Sequence, residues 1–399
     1  MDVLKVLDNL DQMKVFFEPI YSADEHSIAA YEVIGTIEGE QFDLNTFSYS
    51  EEVPEDIRVE IEQLVIRQAL QTAVQGLAEV DIYIPCNPNL LMLDFGESYF
   101  SILKEMVQDE LLSHITLVIA EHKFEGNIKQ LHHVIKYMKT YGIKIALDDI
   151  GPHSNLDHMI LLEPYVLKIN VEQLNYNQWG PQNHVFTTLR SLALKIGASL
   201  MVSGVNTVYQ LQHGWKSGAR YYKGPYLERP AKDFILRDTL KSRFQDECKQ
   251  FIATEKKLVQ QKYEAMKTLE KKITTAVEQI DPTSKNTNTL LTLAERLRPY
   301  IFRLYICDGE GFQTTPNIML KEGRWEVQQE AFRKNWSWRP YFLLNLIKMR
   351  HDQQGEFSST YSDIETEELT RTYSMALPKN EYLFVDISYE YLYEHNIVN

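Results

Sequence analysis

Through the first 230 or so positions, short apolar runs rich in β-branched and aromatic side chains alternate with stretches whose apolar residues fall three and four apart. A short continuous apolar run is the mark of a strand buried on both faces, and the three-four spacing marks a helix buried on one. Eight such runs occur, at 16–21, 29–34, 81–85, 115–120, 144–150, 166–170, 199–205 and 221–227, and the helical spacing is clearest at 57–74 and 128–141. Eight strands interleaved with helices exceed what an open doubly wound sheet of this length usually carries. The pattern predicts an α/β fold, a TIM-like (βα)8 barrel over residues 1–232.

At 233 the pattern changes. Charged residues dominate to 280 without Gly or Pro, and Leu240, Phe244, Phe251, Leu258, Met266, Leu269, Ile273, Val277 and Ile280 form an apolar stripe, predicting a long connecting helix over 233–281. Its partial heptad spacing suits either a helix of a second subunit or the chain's own C-terminal part. Turn formers at 281–288 break it. In 282–399 a helix through Leu297 precedes a strand at 302–307 and the turn Asp308-Gly309-Glu310-Gly311; alternating segments at 356–361, 369–375 and 382–387 read as antiparallel strands with one solvated face. This order predicts an α+β domain of the PAS or Cache sensor type.

Composition narrows the classes of function. With 41 Lys and Arg against 56 Asp and Glu, the formal charge is −15. That argues against a nucleic acid polymer as partner, because such binding draws on basic side chains that neutralise phosphates. Cys86, Cys248 and Cys307 are far apart and lack metal-ligand spacing. No apolar run reaches 18 residues and the N-terminus, interrupted by Asp8 and Asp11, lacks a signal-peptide core, so the expectation is a cytoplasmic protein without a membrane partner. His132 and His133 are adjacent and on a helix point different ways, which fits a solvated face better than a metal site.

The candidate chemistry lies at strand ends. Tyr31-Glu32-Val33-Ile34-Gly35 ends the second run and Ala146-Leu147-Asp148-Asp149-Ile150-Gly151 the fifth. Together with Leu167-Lys168-Ile169 they resemble the signature of the EAL family of cyclic-di-GMP phosphodiesterases. Asn335-Trp336-Ser337-Trp338-Arg339-Pro340-Tyr341-Phe342 with Tyr361-Ser362-Asp363 resembles the C-terminal domain of the YkuI-like subgroup of that family. The resemblance implies two divalent cations that activate a water. Glu32 matches the family's strand 2 ligand, Asp148 and Asp149 its metal-bridging pair, Lys168 the lysine holding the water, and Glu121 the residue tethering the loop after the pair.

The rest of the signature departs. Pro85 stands for a metal-binding Asn, with Asn87 displaced by two; Val118 replaces a Glu, Ala120 a Thr, and Asn170 an Asp. Ser203-Gly204-Val205-Asn206 lacks both carboxylates of the strand 7 motif, Lys223 replaces a Gln, and the loop Gly151-Pro152-His153-Ser154-Asn155 is shorter. Of the substrate contacts, a strand 1 Gln has become Glu18 and a phosphate-clamping Arg has become Thr36. Three residual ligands fall short of the six or more oxygens a hard cation takes. The expectation is a catalytically inactive regulatory protein in which Glu32, Glu121, Asp148, Asp149 and Lys168 are vestigial. No cofactor is expected, and Mg²⁺ or Mn²⁺ only if Glu32, Asp148 and Asp149 still bind metal. Those three carboxylates would converge and raise the pKa of at least one, with Lys223 either entering as a substitute for the metal or pointing to solvent. An unneutralised acidic pocket makes cyclic-di-GMP binding weak or absent. The rivals are a non-hydrolysing cyclic-di-GMP receptor and a working metal-dependent phosphodiesterase using Asn87 or Asn170. A homodimer and a protein partner are expected.

In the C-terminal domain, Trp338, Arg339, Tyr341, Tyr361 and Asp363 resemble a sensor site for a small zwitterion, Arg for a carboxylate and Asp for an amine. Equally, Trp336, Trp338 and Tyr341 could be core, with Arg339 paired to Asp363.

Overall fold

The computed structural model describes residues 12–37, 44–74, 76–77, 79–171, 183–280, 286–352 and 354–397. The N-terminal acids Asp8 and Asp11 and the turn formers at 281–285 lie outside the described residues. Two compact units divide between Lys249 and Gln250. Among the described residues no helix is long and apolar enough to cross a membrane.

In the first unit eight strands close into a barrel in sequence order: β1 (Met13–Ser22), β2 (Ile28–Ile37), β3 (Asp81–Pro85), β4 (Ile115–Ile119), β5 (Lys144–Leu147), β6 (Val166–Asn170), β7 (Ser199–Ser203) and β8 (Tyr221–Tyr222). From β2 to β8 neighbours are parallel, but β1 runs antiparallel to both β2 and β8. The expected interleaving therefore fails at its first step. Between β1 and β2 lies a tight turn, closed by the Ser22 hydroxyl accepting from the Asp24 N–H at 3.1 Å, and a connection this short can join only antiparallel strands. The run at 221–227 likewise yields a strand of two residues. Gly224 adopts φ +147°, and a Cβ there would sit 2.2 Å from the Val205 backbone nitrogen, so the chain turns away to pass close against the end of β7.

Period-two alternation sorts the strands into layers. Ile82, Leu117, Ile145, Leu167 and Val202 face the helices outside, whereas Ile20, Ala30, Tyr83, Val118, Ala146, Val166, Met201 and Tyr221 fill the interior. The helices Glu55–Ala73 and Ile128–Lys139 cover the outer layer with Ile61, Val65, Ala69, Leu131, Ile135 and Met138.

The predicted linker forms a helix, Lys241–Glu278, but it is shared between the units. Residues 233–240 are not helical; Phe234 instead stacks on Tyr31 at 4.2 Å between ring centres, and the Tyr31 hydroxyl donates to the Ile235 carbonyl at 3.0 Å. Phe244 and Cys248 are buried in the first unit, Leu269, Ile273 and Val277 in the second.

The second unit is an antiparallel sheet of order β11-β10-β9-β16-β15-β12, built from β9 (Ile301–Asp308), β10 (Asn317–Lys321), β11 (Arg324–Gln328), β12 (Glu356–Phe357), β15 (Thr372–Leu377) and β16 (Glu381–Ile387). Alternation again decides the faces. Leu304 and Ile306 of β9 meet the helix Thr287–Leu297 and the end of the long helix, while Tyr305 and Cys307 meet Phe342, Leu346 and Met349 of the helix Phe342–Asp352. The hairpin β10–β11, turning at Glu322 and Gly323 with positive φ, was not legible because β11 is largely exposed and polar. The segment 356–361 is not one strand: its first residues pair with β15, while Tyr361 and Ser362 (β13, Tyr361–Ser362) pair with β14 (Leu369–Thr370).

Candidate functional site

One step beyond the apolar interior layer, toward the C-terminal ends of β2 to β8, the inward positions become Glu32, Ala120, Asp148, Lys168, Ser203 and Lys223. Because β1 runs the other way, its contribution is the residue two before Ile20, Glu18. These side chains line a cavity of about 420 Å³ together with Tyr49, Cys86, Lys123 and Asp149. The strand register puts Glu18 directly opposite Glu32. Two like charges so placed repel, and a cation between them is the remedy.

Lysines supply it. Lys223 Nζ lies 2.6 Å from Glu18 Oε2 and 3.2 Å from Glu32 Oε2, the second a charge contact outside hydrogen-bond geometry. Lys168, 2 % exposed, donates to Glu32 Oε1 at 2.8 Å and lies 3.0 Å from Asp148 Oδ2. The result is a chain of alternating sign, Glu18, Lys223, Glu32, Lys168, Asp148. Burial alone would lower the Lys223 pKa, but Glu32 and Glu18 hold it above its ordinary value. Burial would raise the Asp148 carboxyl, yet Lys168, then Lys223 and the Asp149 N–H, outweigh it and leave it below its ordinary value.

Two expectations are thereby corrected. The pocket is not unneutralised, since both lysines sit among its carboxylates. Nor do Glu32, Asp148 and Asp149 converge as a repelling trio: Asp149, in a left-handed conformation at φ +54°, is a third exposed and its carboxylate lies 3.8 Å from His122, while Glu18 takes its place in the buried set. Asp148 is lowered, so it is not a carboxyl raised by repulsion.

The donor set does not fit a pair of divalent cations. Glu32 and Asp148 already face ammonium groups, Ala120 and Ser203 offer no carboxylate at their strand ends, and among the described residues no group of three or more His, Cys, Asp or Glu is placed to hold a metal. Asn87 is committed elsewhere. Its Oδ1 caps a short helix through the Asn89 N–H at 2.9 Å and its Nδ2 donates to the Ser48 carbonyl at 2.8 Å. Asn170 lines the cavity. Glu121, buried, accepts from the Asn155 N–H at 3.0 Å and lies 3.1 Å from His158 Nδ1, tying the loop after the Asp pair to the end of β4.

Beneath the cavity lies a group sequence reasoning missed. Glu62, buried on the helix Glu55–Ala73, accepts from Ser48, Tyr99 and the Asn87 N–H. Burial, only partly offset by these donors, pushes its pKa up to about 7. The signal was present: a lone acid on the apolar face between Ile61 and Val65.

In the second unit Arg339 is buried and donates from Nη1 to the hydroxyls of Tyr341 at 2.8 Å and Tyr361 at 3.2 Å. Its guanidinium lies 4.5 Å from the Trp336 ring centre. The alternative pairing to Asp363 is not formed. Asp363 is held by Arg303, which also donates to Asp386 Oδ2 at 2.6 Å. Trp338, 63 % exposed, is not core. His132 and His133 sit side by side on their helix, half-buried and exposed.

Comparison with known proteins agrees with the fold. The sequence pattern of the EAL domain matches residues 4–230, and that of an EAL-domain associated signalling protein domain matches 234–398. The chain belongs to the EAL family. It is 41 % identical, over 99 % of both chains, to YkuI of Bacillus subtilis strain 168, an EAL-domain protein whose own role is uncharacterised. The crystal structure of Bacillus subtilis YkuI in complex with substrate cyclic-di-GMP and calcium superposes with a TM-score of 0.93 at 40 % identity over all of both chains. An EAL-domain protein from Listeria monocytogenes shares the barrel at 15 % identity, with a TM-score of 0.51 over 58 % of this chain and 94 % of that one. This EAL protein is thus of the YkuI type, with the closed barrel and the C-terminal domain of that subgroup.

Proposed function

We propose that this EAL protein is a non-hydrolysing signalling protein whose barrel binds cyclic-di-GMP without cutting it. One observation carries the reading: the ammonium groups of Lys168 and Lys223 sit between the carboxylates where the family's chemistry requires divalent cations. Without cations, and with Ser203 and Asn206 in place of the strand 7 acids, nothing activates a water or neutralises the charge that builds on the phosphate. Binding is supported by the relative solved with cyclic-di-GMP, by the 420 Å³ cavity, and by the internal pairing that removes most of the repulsion a dianionic ligand would otherwise meet. The signal would pass to a protein partner. A homodimer belongs to the same reading, supported by Ile252, Val259 and Tyr263, which leave an exposed apolar stripe on the long helix.

The test pairs turnover with binding. Incubation with cyclic-di-GMP and Mg²⁺ or Mn²⁺ yields no linear dinucleotide, and calorimetric titration gives the same affinity with and without Mg²⁺. Metal-dependent turnover that Glu32→Ala abolishes would overturn the proposal.

A further inference from the structure

We propose that the second unit binds a small carboxylate in the cavity beside Arg339, with the guanidinium as its charge partner and Trp336 as its wall. The cavity measures about 130 Å³ and is lined by Arg303, Lys334, Trp336, Arg339 and Asp363 among others. A single buried water needs roughly 10–15 Å³ and a drug-sized ligand at least roughly 300 Å³. The space therefore suits a molecule of a few heavy atoms.

Charge decides which kind. Arg339 is 8 % exposed, yet among the described residues no carboxylate lies within 4 Å of it. Asp386 acts on it only from beyond that distance, with its Oδ2 on Arg303 and its Oδ1 accepting from Thr372. A buried guanidinium with no carboxylate in contact is costly, and fold stability alone would favour an apolar side chain of similar size. The acids that could have answered it are engaged by Arg303, which pairs with Asp363, with Asp386 and, at 3.4 Å, with Glu365. Only Nη1 of Arg339 is taken up by the tyrosine hydroxyls, which leaves its other donors for a planar two-oxygen acceptor.

The surroundings hold that arginine in place. Trp336 Nε1 donates to Gln313 Oε1 at 2.8 Å, and Gln313 Nε2 donates in turn to the Thr315 carbonyl at 2.8 Å and Asn317 Oδ1 at 2.9 Å. The Tyr361 hydroxyl is fixed by Thr372 Oγ1 at 2.7 Å. Such supporting contacts are what a binding site needs and a spare surface does not.

The same contacts disfavour an ammonium group on the ligand. Asp363 has its Oδ2 on Arg303 and its Oδ1 accepting from the N–H groups of Glu365 and Thr366 at 3.0 and 3.1 Å, so it has little left to offer an amine. Arg303 and Lys334 line the cavity along with Arg339, so its three cations outnumber its two carboxylates, Asp363 and Glu365, both of which face Arg303. The ligand is accordingly an organic acid, not the zwitterion that the sequence pattern alone would bring to mind.

The experiment uses the full-length protein, titrated with sodium acetate, lactate, succinate and L-alanine against sodium chloride at matched ionic strength, followed by melting temperature and tryptophan fluorescence. At least one of the three acids should give a saturable shift and bind more tightly than alanine. Arg339→Gln should weaken it by about tenfold or more, the loss expected for a charge-assisted hydrogen-bonded contact. Lys334→Gln, an exposed position, should weaken it several-fold and remains informative if the Arg339 variant does not fold. No saturable shift with any acid, unchanged affinity in a folded Arg339→Gln protein, or unchanged affinity in Lys334→Gln when the former does not fold would each overturn the proposal. Alanine binding more tightly than every acid would overturn it as well. None of these outcomes depends on cyclic-di-GMP.

Discussion

Replacing Lys223 by Gln tests the central feature of the barrel, because it restores the neutral residue the family carries at this position. Lys223 touches Glu18 at 2.6 Å and Glu32 at 3.2 Å, and those two carboxylates are cross-strand neighbours in register. Without the ammonium they face each other in a buried setting with Lys168 alone to serve Glu32 and Asp148. Stranding a buried charge costs about 3–5 kcal/mol, which for a unit of this size lowers the melting temperature by roughly 10 °C. The pH window follows from the direction of the shift. An ammonium whose folded pKa is raised contributes stability that is complete below its unfolded value, about 10.4, and lost only above the folded one, so a measurement at pH 7 captures all of it. Differential scanning calorimetry of wild type and Lys223→Gln at pH 7 reads the loss. Added Mg²⁺ should raise the melting temperature of the variant and leave wild type unchanged. An unchanged melting temperature at pH 7 would refute the view that Lys223 neutralises this site.

Glu62 makes stability fall as pH rises: with a pKa near 7 folded and 4.5 otherwise, it keeps a proton that the unfolded chain has lost, at a cost of about 3 kcal/mol once pH exceeds 7. Denaturant titrations at pH 4.5 and 8 should show this slope in wild type and a flatter one in Glu62→Gln. Gly224→Ala should destabilise the barrel by more than 1 kcal/mol, since the new Cβ would overlap the Val205 backbone at a φ that L residues rarely adopt; a melting temperature equal to wild type would count against the close approach. Arg303→Met should strand Asp363 and Asp386 and cost about 3–5 kcal/mol, read as an earlier unfolding transition in the second unit by near-UV circular dichroism.

The barrel was legible because period-two alternation is local: the step from Ala30 to Glu32, from Ala146 to Asp148 and from Val166 to Lys168 already places these side chains on the inward face beyond the apolar layer. The same alternation sorted Leu304 and Ile306 from Tyr305 and Cys307 in the second unit. Partners were a different matter. Lys223 meets Glu18 across 205 positions and Lys168 meets Glu32 across 136, and which acid each lysine neutralises depends on the turn that makes β1 antiparallel, sets Glu18 against Glu32 and brings β8 round to close the barrel. Likewise Asp363, 24 positions from Arg339 and 60 from Arg303, joins the more distant one, because β9 and β16 carry Arg303 and Asp386 as register partners beneath it while the tyrosines turn Arg339 aside. Residue type and spacing determine which face a charge occupies. Which opposite charge it meets is decided by strand register and closure, which no local stretch of sequence encodes.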